Sequence, residues 1–403
     1  MKVAVIGAGA AGFFAAIAAK ENFPDARVII YEKSTKVLSK VKVSGGGRCN
    51  VTHACFQIGE LVKFYPRGSR FLKKAFSQFN TQHTVNWFEE RGIALKTEKD
   101  GRMFPQSDSS QTIIDCLIGE TERLGIAIKK QSSIAGIVLL ENGFQLDFGL
   151  GNTIVVDKLI VATGGAPKLE GFNWLKQLGH HIEPPVPSLF TFNMPQEPVK
   201  KLMGTVAPQV RVKIQGSKLL AEGPLLITHW GMSGPAVLKL SAFGAKELAE
   251  KNYNFRIQVN WMNAASEEFL RRNLSSILEG NRNTKLTNLK MEGIPKRLWA
   301  FLLDKLELNP NQVCGELSKK KINRIINVLL NDEYQVSGKT TFKEEFVTCG
   351  GISLADVNPN TMQSRVVAHL YFAGEVLDVD GVTGGFNFQN AWTTGYIAGK
   401  LKS

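Results

Sequence analysis

Apolar residues in this chain fall into two kinds of run. Val3-Ala4-Val5-Ile6 is short and continuous, the pattern of a strand buried on both faces. Phe13 to Lys20 is Ala-rich and reads as a helix. Arg27-Val28-Ile29-Ile30-Tyr31 is a second strand. From Thr112 to Gly125, Ile113, Cys116, Leu117 and Leu124 recur at helical spacing. Ser132 to Val156 is β-rich, with turns at Asn142-Gly143 and Gly149-Leu150-Gly151. Lys158 to Val161 is a strand running into Gly164-Gly165.

Pro184-Pro185-Val186-Pro187 then breaks the pattern. Phe190 to Val212 and Leu219 to Trp261 read as strand-rich. Ala264 to Leu330 reads as helical, through Phe269, Leu270, Leu274, Ile277 and Leu278, then Leu298, Phe301, Leu302 and Leu306, then Ile322, Ile325, Ile326, Leu329 and Leu330. Leu370 to Phe372 returns to strand, and a helix is expected from Asn390 to Lys400. The predicted class is α/β. Residues 1–188 and 342–403 form one discontinuous domain. Residues 189–262 with about 331–341 form an inserted β-barrel-like domain. Residues 263–330 form a helical subdomain.

The turn between the first strand and helix is Gly7-Ala8-Gly9-Ala10-Ala11-Gly12, a GxGxxG, and Glu32 lies twenty residues after Gly12. Strand, glycine turn, helix, strand and acid together make the βαβ dinucleotide fingerprint. Gly7 allows the tight turn, Gly9 lets backbone approach a pyrophosphate, and Gly12 lets helix and strand pack closely. The helix start offers unpaired N–H groups to the phosphates. Glu32 can accept from both ribose hydroxyls. Further on, Ser44-Gly45-Gly46-Gly47-Arg48-Cys49-Asn50 places three consecutive glycines where side chains would obstruct an extended cofactor. At the far end, Ala373-Gly374-Glu375 closes a strand, and Gly384-Gly385-Phe386-Asn387-Phe388 leads into a helix.

These segments, with Gly101–Ser107, Val161–Gly165 and Thr228–Ser241, resemble the BaiN-like (YhiN-like) FAD/NAD(P)-dependent oxidoreductases, also labelled the aminoacetone-oxidase family of FAD-binding enzymes. The resemblance runs nearly end to end. It departs at His53, where the family often has Asn, and in the short turn Ala166–Gly171. It implies a Rossmann-like, two-dinucleotide-fold FAD domain. FAD would be held by Gly7, Gly9, Ala11, Gly12, Glu32, Lys33, Lys40, Ser44, Gly45, Gly46, Gly47, Arg48, Cys49, Asn50, Ile134, Ala162, Thr163, Gly164, Gly374, Glu375, Gly385, Phe386, Asn387 and Phe388. In that frame Glu375 meets the ribityl chain. Amides near Asn387 and Phe388 face the flavin pyrimidine.

Composition narrows the chemistry. The chain carries 49 Lys and Arg against 36 Asp and Glu, a net +13. Between Leu189 and Thr341 the balance is 22 against 13, so most of the excess sits there. Five scattered cysteines include no CxxC, so a disulfide relay and a zinc site are excluded, and no metal is expected. Scattered cysteines fit a reducing compartment, the cytoplasm. No apolar run reaches a membrane span of ~20 residues. A second GxGxxG is absent, so NAD(P)H enters only as a transient electron donor.

The leading expectation is an FAD-dependent oxidoreductase, a reductase or oxidase of a small organic molecule. Arg48 and Arg102 are candidate anion binders. His229, an imidazole able to titrate near neutrality, is the candidate proton donor. Nucleic acid is not an expected partner on this reading. The alternatives are an FAD-dependent tRNA-modifying enzyme and a non-enzymatic flavin redox sensor.

Overall fold

The run Val3–Ile6 is buried along its length because neighbours flank it on both sides. In the computed structural model, which describes residues 1–149, 151–341 and 347–402, the strand Lys2–Ile6 pairs in parallel with Arg27–Tyr31 on one side and Lys158–Val161 on the other. Leu370–Phe372 and Ala127–Lys129 extend the sheet at its two edges, again in parallel. All-parallel strands covered on both faces need no polar alternation, which is why the sequence shows solid apolar runs.

Two helices tie the ends of the chain together. Ala10–Asn22 follows the first strand and Phe386–Gly399 closes the chain. A Cβ added at Gly395 would lie 2.6 Å from the Ala11 carbonyl oxygen, and one at Gly399 would lie 2.5 Å from that of Ala15. The backbones therefore touch, and only glycine fits at the two contacts. The Phe14 ring wedges beside them against Trp87 and Trp392, with centroids 4.4 and 4.6 Å away.

The described residues divide into two units, Met1–Ser188 with Phe342–Ser403, and Leu189–Thr341. The residues about the expected Phe342 boundary, like Leu150 of the expected turn, lie outside the described set. In the second unit seven strands are ordered so that Asp332–Ser337 and Lys339–Thr340 stand at opposite ends. Those two strands are consecutive, with Gly338 alone between them, so the sheet curls back on itself as a barrel does. Its helices share one apolar cluster with the sheet, in which Phe192, Val212 and Trp261 meet Leu274, Trp299 and Ile325.

Two expectations need correction. The strand-rich stretch Leu219–Trp261 contains two helices, Pro235–Phe243 and Ala245–Glu250. Pro235 is the first helical residue, where a missing N–H costs nothing. The last helix begins at Phe386, four residues before the expected Asn390. Its early turns bury Gln389, Asn390, Thr393 and Thr394, polar residues that hide the apolar period.

Candidate cofactor site

Four turns leave the carboxyl ends of adjacent strands: Gly374–Glu375, Ala162–Gly165, Gly7–Gly12 and Glu32, in that spatial order. Three strand spacings span roughly 14 Å, a length suited to an extended dinucleotide. In open parallel sheets this edge is where ligands sit.

The glycines there divide into two sorts. A Cβ on Gly7 would fall 2.3 Å from the Ala162 carbonyl oxygen, and one on Gly12 would fall 1.9 Å from that of Gly7. These two permit close packing. A Cβ on Gly9, Gly46, Gly47 or Gly164 would meet nothing within 4 Å. These four face open space, a cradle that side chains would fill. The first helix starts after Gly9 with no side-chain cap, and the last starts after Gly385 in the same way. Both present unclaimed amides at their first turns. Cradle, uncapped helix starts and flanking acids fit FAD.

Each acid is already oriented. Glu32 accepts from the Ala8 amide at 2.9 Å and from the Ser34 amide at 2.8 Å. Ile134 lies two residues beyond Ser132, whose amide donates to the Glu32 carbonyl at 2.8 Å. Lys33 is exposed beside it. Glu375 accepts from Lys40 Nζ at 2.7 Å and from the Thr348 amide at 3.0 Å. The Gly374 amide donates to Thr394 Oγ1 of the last helix at 2.8 Å. Ala11 is buried, and its Cβ stands 2.8 Å from where a Gly374 Cβ would be. Ala162 is buried and Thr163 exposed at the neighbouring turn.

The glycine loop is braced from below. The segment Ser39–Gly47 is helical until Ser44, then breaks through Gly45 and Gly46, both at positive φ. Ser44 donates to the Val41 carbonyl at 3.0 Å. Arg48 stacks on Phe104, 4.0 Å from the ring centroid, and donates to Glu98 at 2.6 Å. Arg102 donates to Glu98 at 3.0 Å and to Asp100 at 2.8 Å. Both arginines are engaged by carboxylates, which makes them braces of the loop. Cys49 is fully buried, and burial pushes its thiol up to about 12. It is a packed thiol, not a thiolate. His229 belongs to the second unit, where it is exposed and edge-on to Trp230 at 4.2 Å.

The start of the last helix is held by a set of side chains, of which Tyr65, Arg67 and Ser188 carried no signal in the sequence. Asp380 is fully buried and is gripped by Arg67 through two nitrogens and by the Ser188 hydroxyl. Tyr65 donates to the Phe386 carbonyl at 2.7 Å, and burial holds its phenol well above the usual range, so it stays a donor. Asn387 bonds both the amide and the carbonyl of Gly381, at 2.8 and 2.9 Å. With its amide swapped end for end, Asn50 accepts from the Gly385 amide at 3.0 Å. His53 stacks on Phe386, centroids 4.8 Å apart. Its Nε2 stands 3.1 Å from the Asp100 carbonyl, which can only accept, so Nε2 carries the proton. Nδ1 is then a buried acceptor with no partner among the described residues. Phe388 stacks on Trp392.

Among the described residues, no cluster of His, Cys, Asp and Glu could hold a metal, and no helix is long and apolar enough to cross a membrane.

Comparison with known proteins places this geometry. The family described as "HI0933-like protein Rossmann domain" matches residues 1–401. A 3-dehydro-bile acid Δ4,6-reductase of Clostridium scindens is 28% identical, with 99% of this chain and 98% of that protein covered. An Escherichia coli protein named ribosomal RNA dihydrouridine synthase is 31% identical, with 97% and 95% covered. Among solved structures, the 3-ketosteroid Δ1-dehydrogenase of Sterolibacterium denitrificans shares the fold, with a TM-score of 0.51 at 11% identity over 98% of each chain.

Proposed function

The chain belongs to the HI0933-like Rossmann-domain family and is a flavoprotein oxidoreductase; from that premise we propose that it reduces a carbon–carbon double bond conjugated to a carbonyl in a small organic molecule. The observation that carries the cofactor half of this reading is the open glycine cradle between Glu32 and Glu375. The substrate half draws on the names of two relatives. A Δ4,6-reductase of a 3-oxo bile acid and a dihydrouridine synthase each saturate a ring double bond next to a carbonyl.

When bound, FAD supplies the two-electron transfer, accepting from NADH or NADPH and giving to the double bond. The protein's part is orientation and electrostatics. Glu32 would hold the adenosine ribose. The amides after Gly9 would face the pyrophosphate, and the bare backbone of Gly46 and Gly47 would leave room for the cofactor. Glu375 would meet the ribityl chain. The amides of Asn387 and Phe388, kept in place by Tyr65, Asn50 and Asp380, would offer positive potential to the flavin ring. Arg48 and Arg102 hold the loop from beneath. His229, exposed on the second unit, stays a candidate proton donor on the strength of its sequence context alone.

A second reading takes the uracil ring of an RNA as the conjugated substrate. It is favoured by the net positive charge of Leu189–Thr341 and by the Escherichia coli relative. The deciding experiment is anaerobic. The flavin spectrum is followed while NADH or NADPH is added, then a 3-oxo-4-ene steroid or a uracil-containing RNA. Reoxidation by the steroid, with a product heavier by two hydrogens, supports the first reading. Reoxidation by RNA alone, with binding that weakens steeply as salt rises, replaces it with the second. A colourless protein that takes up no FAD rejects both.

A further inference from the structure

The residues that bracket the second unit run side by side. Ile182–Pro187 pairs antiparallel with Thr348–Ile352, with Ile182 opposite Ile352 and Pro187 opposite Thr348. The Ser188 amide adds a bond to the Val347 carbonyl at 2.9 Å. Together they form a two-stranded ribbon.

Three acids of one turn grip this ribbon, and it is the turn that carries Glu375. The Thr348 amide donates to Glu375 Oε1 at 3.0 Å. The Gly350 amide donates to Asp378 Oδ1 at 2.8 Å. The Ser188 hydroxyl donates to Asp380, which also holds Arg67. The Ala162–Gly165 turn is pressed into the same place: a Cβ on Gly165 would lie 2.1 Å from Thr348 Oγ1 and 2.9 Å from Glu375 Oε1. Asp380 is fully buried and the Glu375 side chain is only 18% exposed. Pulling the ribbon away would take one donor from each acid and leave the Ser188 hydroxyl and the Thr348 and Gly350 amides without these acceptors, in places that water reaches poorly, which is expensive.

We propose that Glu375, Asp378 and Asp380 join the cofactor turn and the ribbon into one cooperative element, so that FAD occupancy stiffens the ribbon that carries Leu189–Thr341. Thr348 and Ser188 are positioning residues that act through Glu375 and Asp380. The inference rests on the FAD reading above. Its physical content is linkage. A ligand that binds only the closed turn suppresses every opening that breaks the turn, by the factor 1 + [L]/Kd. Openings that leave the turn intact are not suppressed.

The test is amide hydrogen exchange on the full chain with and without FAD, uptake being verified by the flavin spectrum. With FAD at a hundred times its Kd, the amides of Ser188, Thr348 and Gly350 are expected to slow by about a hundredfold. The Val212 amide, in the strand Val206–Ile214 of the second unit, is expected to keep its rate. In Asp378→Ala one of the three grips is gone, and the slowing by FAD should shrink at Ser188, Thr348 and Gly350 together. If that variant does not fold, Ser188→Ala deletes one hydroxyl, leaves Arg67 on Asp380, and should shrink the response at Thr348 and Gly350. Bound FAD with unchanged ribbon exchange overturns the coupling and spares the cofactor reading. Slowing of equal size at Val212 also overturns it, because the effect would then be global. A chain that binds no FAD overturns both.

Discussion

Two helices begin at the cofactor site, and they are built in opposite ways. Ala10–Asn22 starts on bare backbone. Gly7 and Gly12 touch carbonyls directly and Gly9 stands open. Phe386–Gly399 starts on a scaffold of side chains. Asp380 with Arg67, Asn387 on Gly381, Tyr65 on the Phe386 carbonyl and His53 against the Phe386 ring all fix its first turn. The difference fits the proposed cofactor reading. A pyrophosphate would carry fixed charge and need close approach, which a start stripped of side chains allows. A flavin ring would change charge during turnover, and amides held in place would meet that change without shifting.

The comparison breaks most sharply at Gly12. A valine there would place a Cβ 1.9 Å from the Gly7 carbonyl oxygen, backbone against backbone, with no rotamer to relieve it. Gly12→Val is expected to cost more than about 5 kcal/mol and to yield no folded, flavin-loaded protein. A yellow, soluble variant with wild-type melting would show that the first helix start tolerates side chains after all. Next in size is Asp380→Ala, which strands the nearly buried Arg67 guanidinium. The expected loss is about 3–5 kcal/mol in denaturant melts. Replacing both partners by apolar residues, Arg67→Met with Asp380→Leu, should recover most of it. If the double variant is no better than the single one, the pair does more than satisfy itself.

The same contrast explains what could be read from the sequence. The first helix start is a local device: six residues, a strand before and an acid twenty residues on, all consecutive and all visible in the sequence. The second is assembled from distant pieces. Glu375 and the Gly384-Gly385 turn were legible because they follow a strand. Tyr65 and Arg67 come from a segment with no periodic signal, more than three hundred residues away in the chain. Their role exists only once Phe64, whose carbonyl takes the Val382 amide, lies beside the Gly381 loop. Arg48 and Arg102 were picked out as candidate anion binders without their acidic partner: Glu98 stands four residues before Arg102 but fifty after Arg48, and the link it makes between the two arginines appears only in the fold. The helix Pro235–Phe243 was hidden differently: its Gly-Pro start resembles a turn between strands.

A smaller perturbation probes one strut of the second helix start. Tyr65→Phe keeps the ring and removes the donor to the Phe386 carbonyl. That carbonyl opens the helix Phe386–Gly399 and loses its second, side-chain donor, so the expected loss is about 1 kcal/mol. Flavin affinity should fall with it, whereas Phe14→Leu, within the first helix, should cost stability without a comparable loss of flavin. Equal flavin binding in Tyr65→Phe and wild type would mean that Asn387, Asn50 and Asp380 suffice to hold the turn.

The smallest effect is a pH dependence. Burial lowers the His53 pKa, with the Asp100 carbonyl and carboxylate opposing the shift. The ring is therefore neutral when folded under conditions where an unfolded chain would already take up a proton. The sign follows from that. Stability is complete above the unfolded value, about pH 6.5, and is lost as pH falls from there towards the lowered folded value. His180 is lowered in the same direction by burial and adds a parallel slope from elsewhere in the same unit. His53→Asn should thus flatten, but not abolish, the fall in melting temperature between about pH 6.5 and 5. It should do so with Phe386 still packed on Phe64, whose rings stack 4.3 Å apart. An unchanged slope would mean that His53 gains its proton as readily in the folded protein as outside it. Its unpartnered Nδ1 would then have to be reachable by water, and the second helix start would be wetter, and closer in kind to the first, than its side chains suggest.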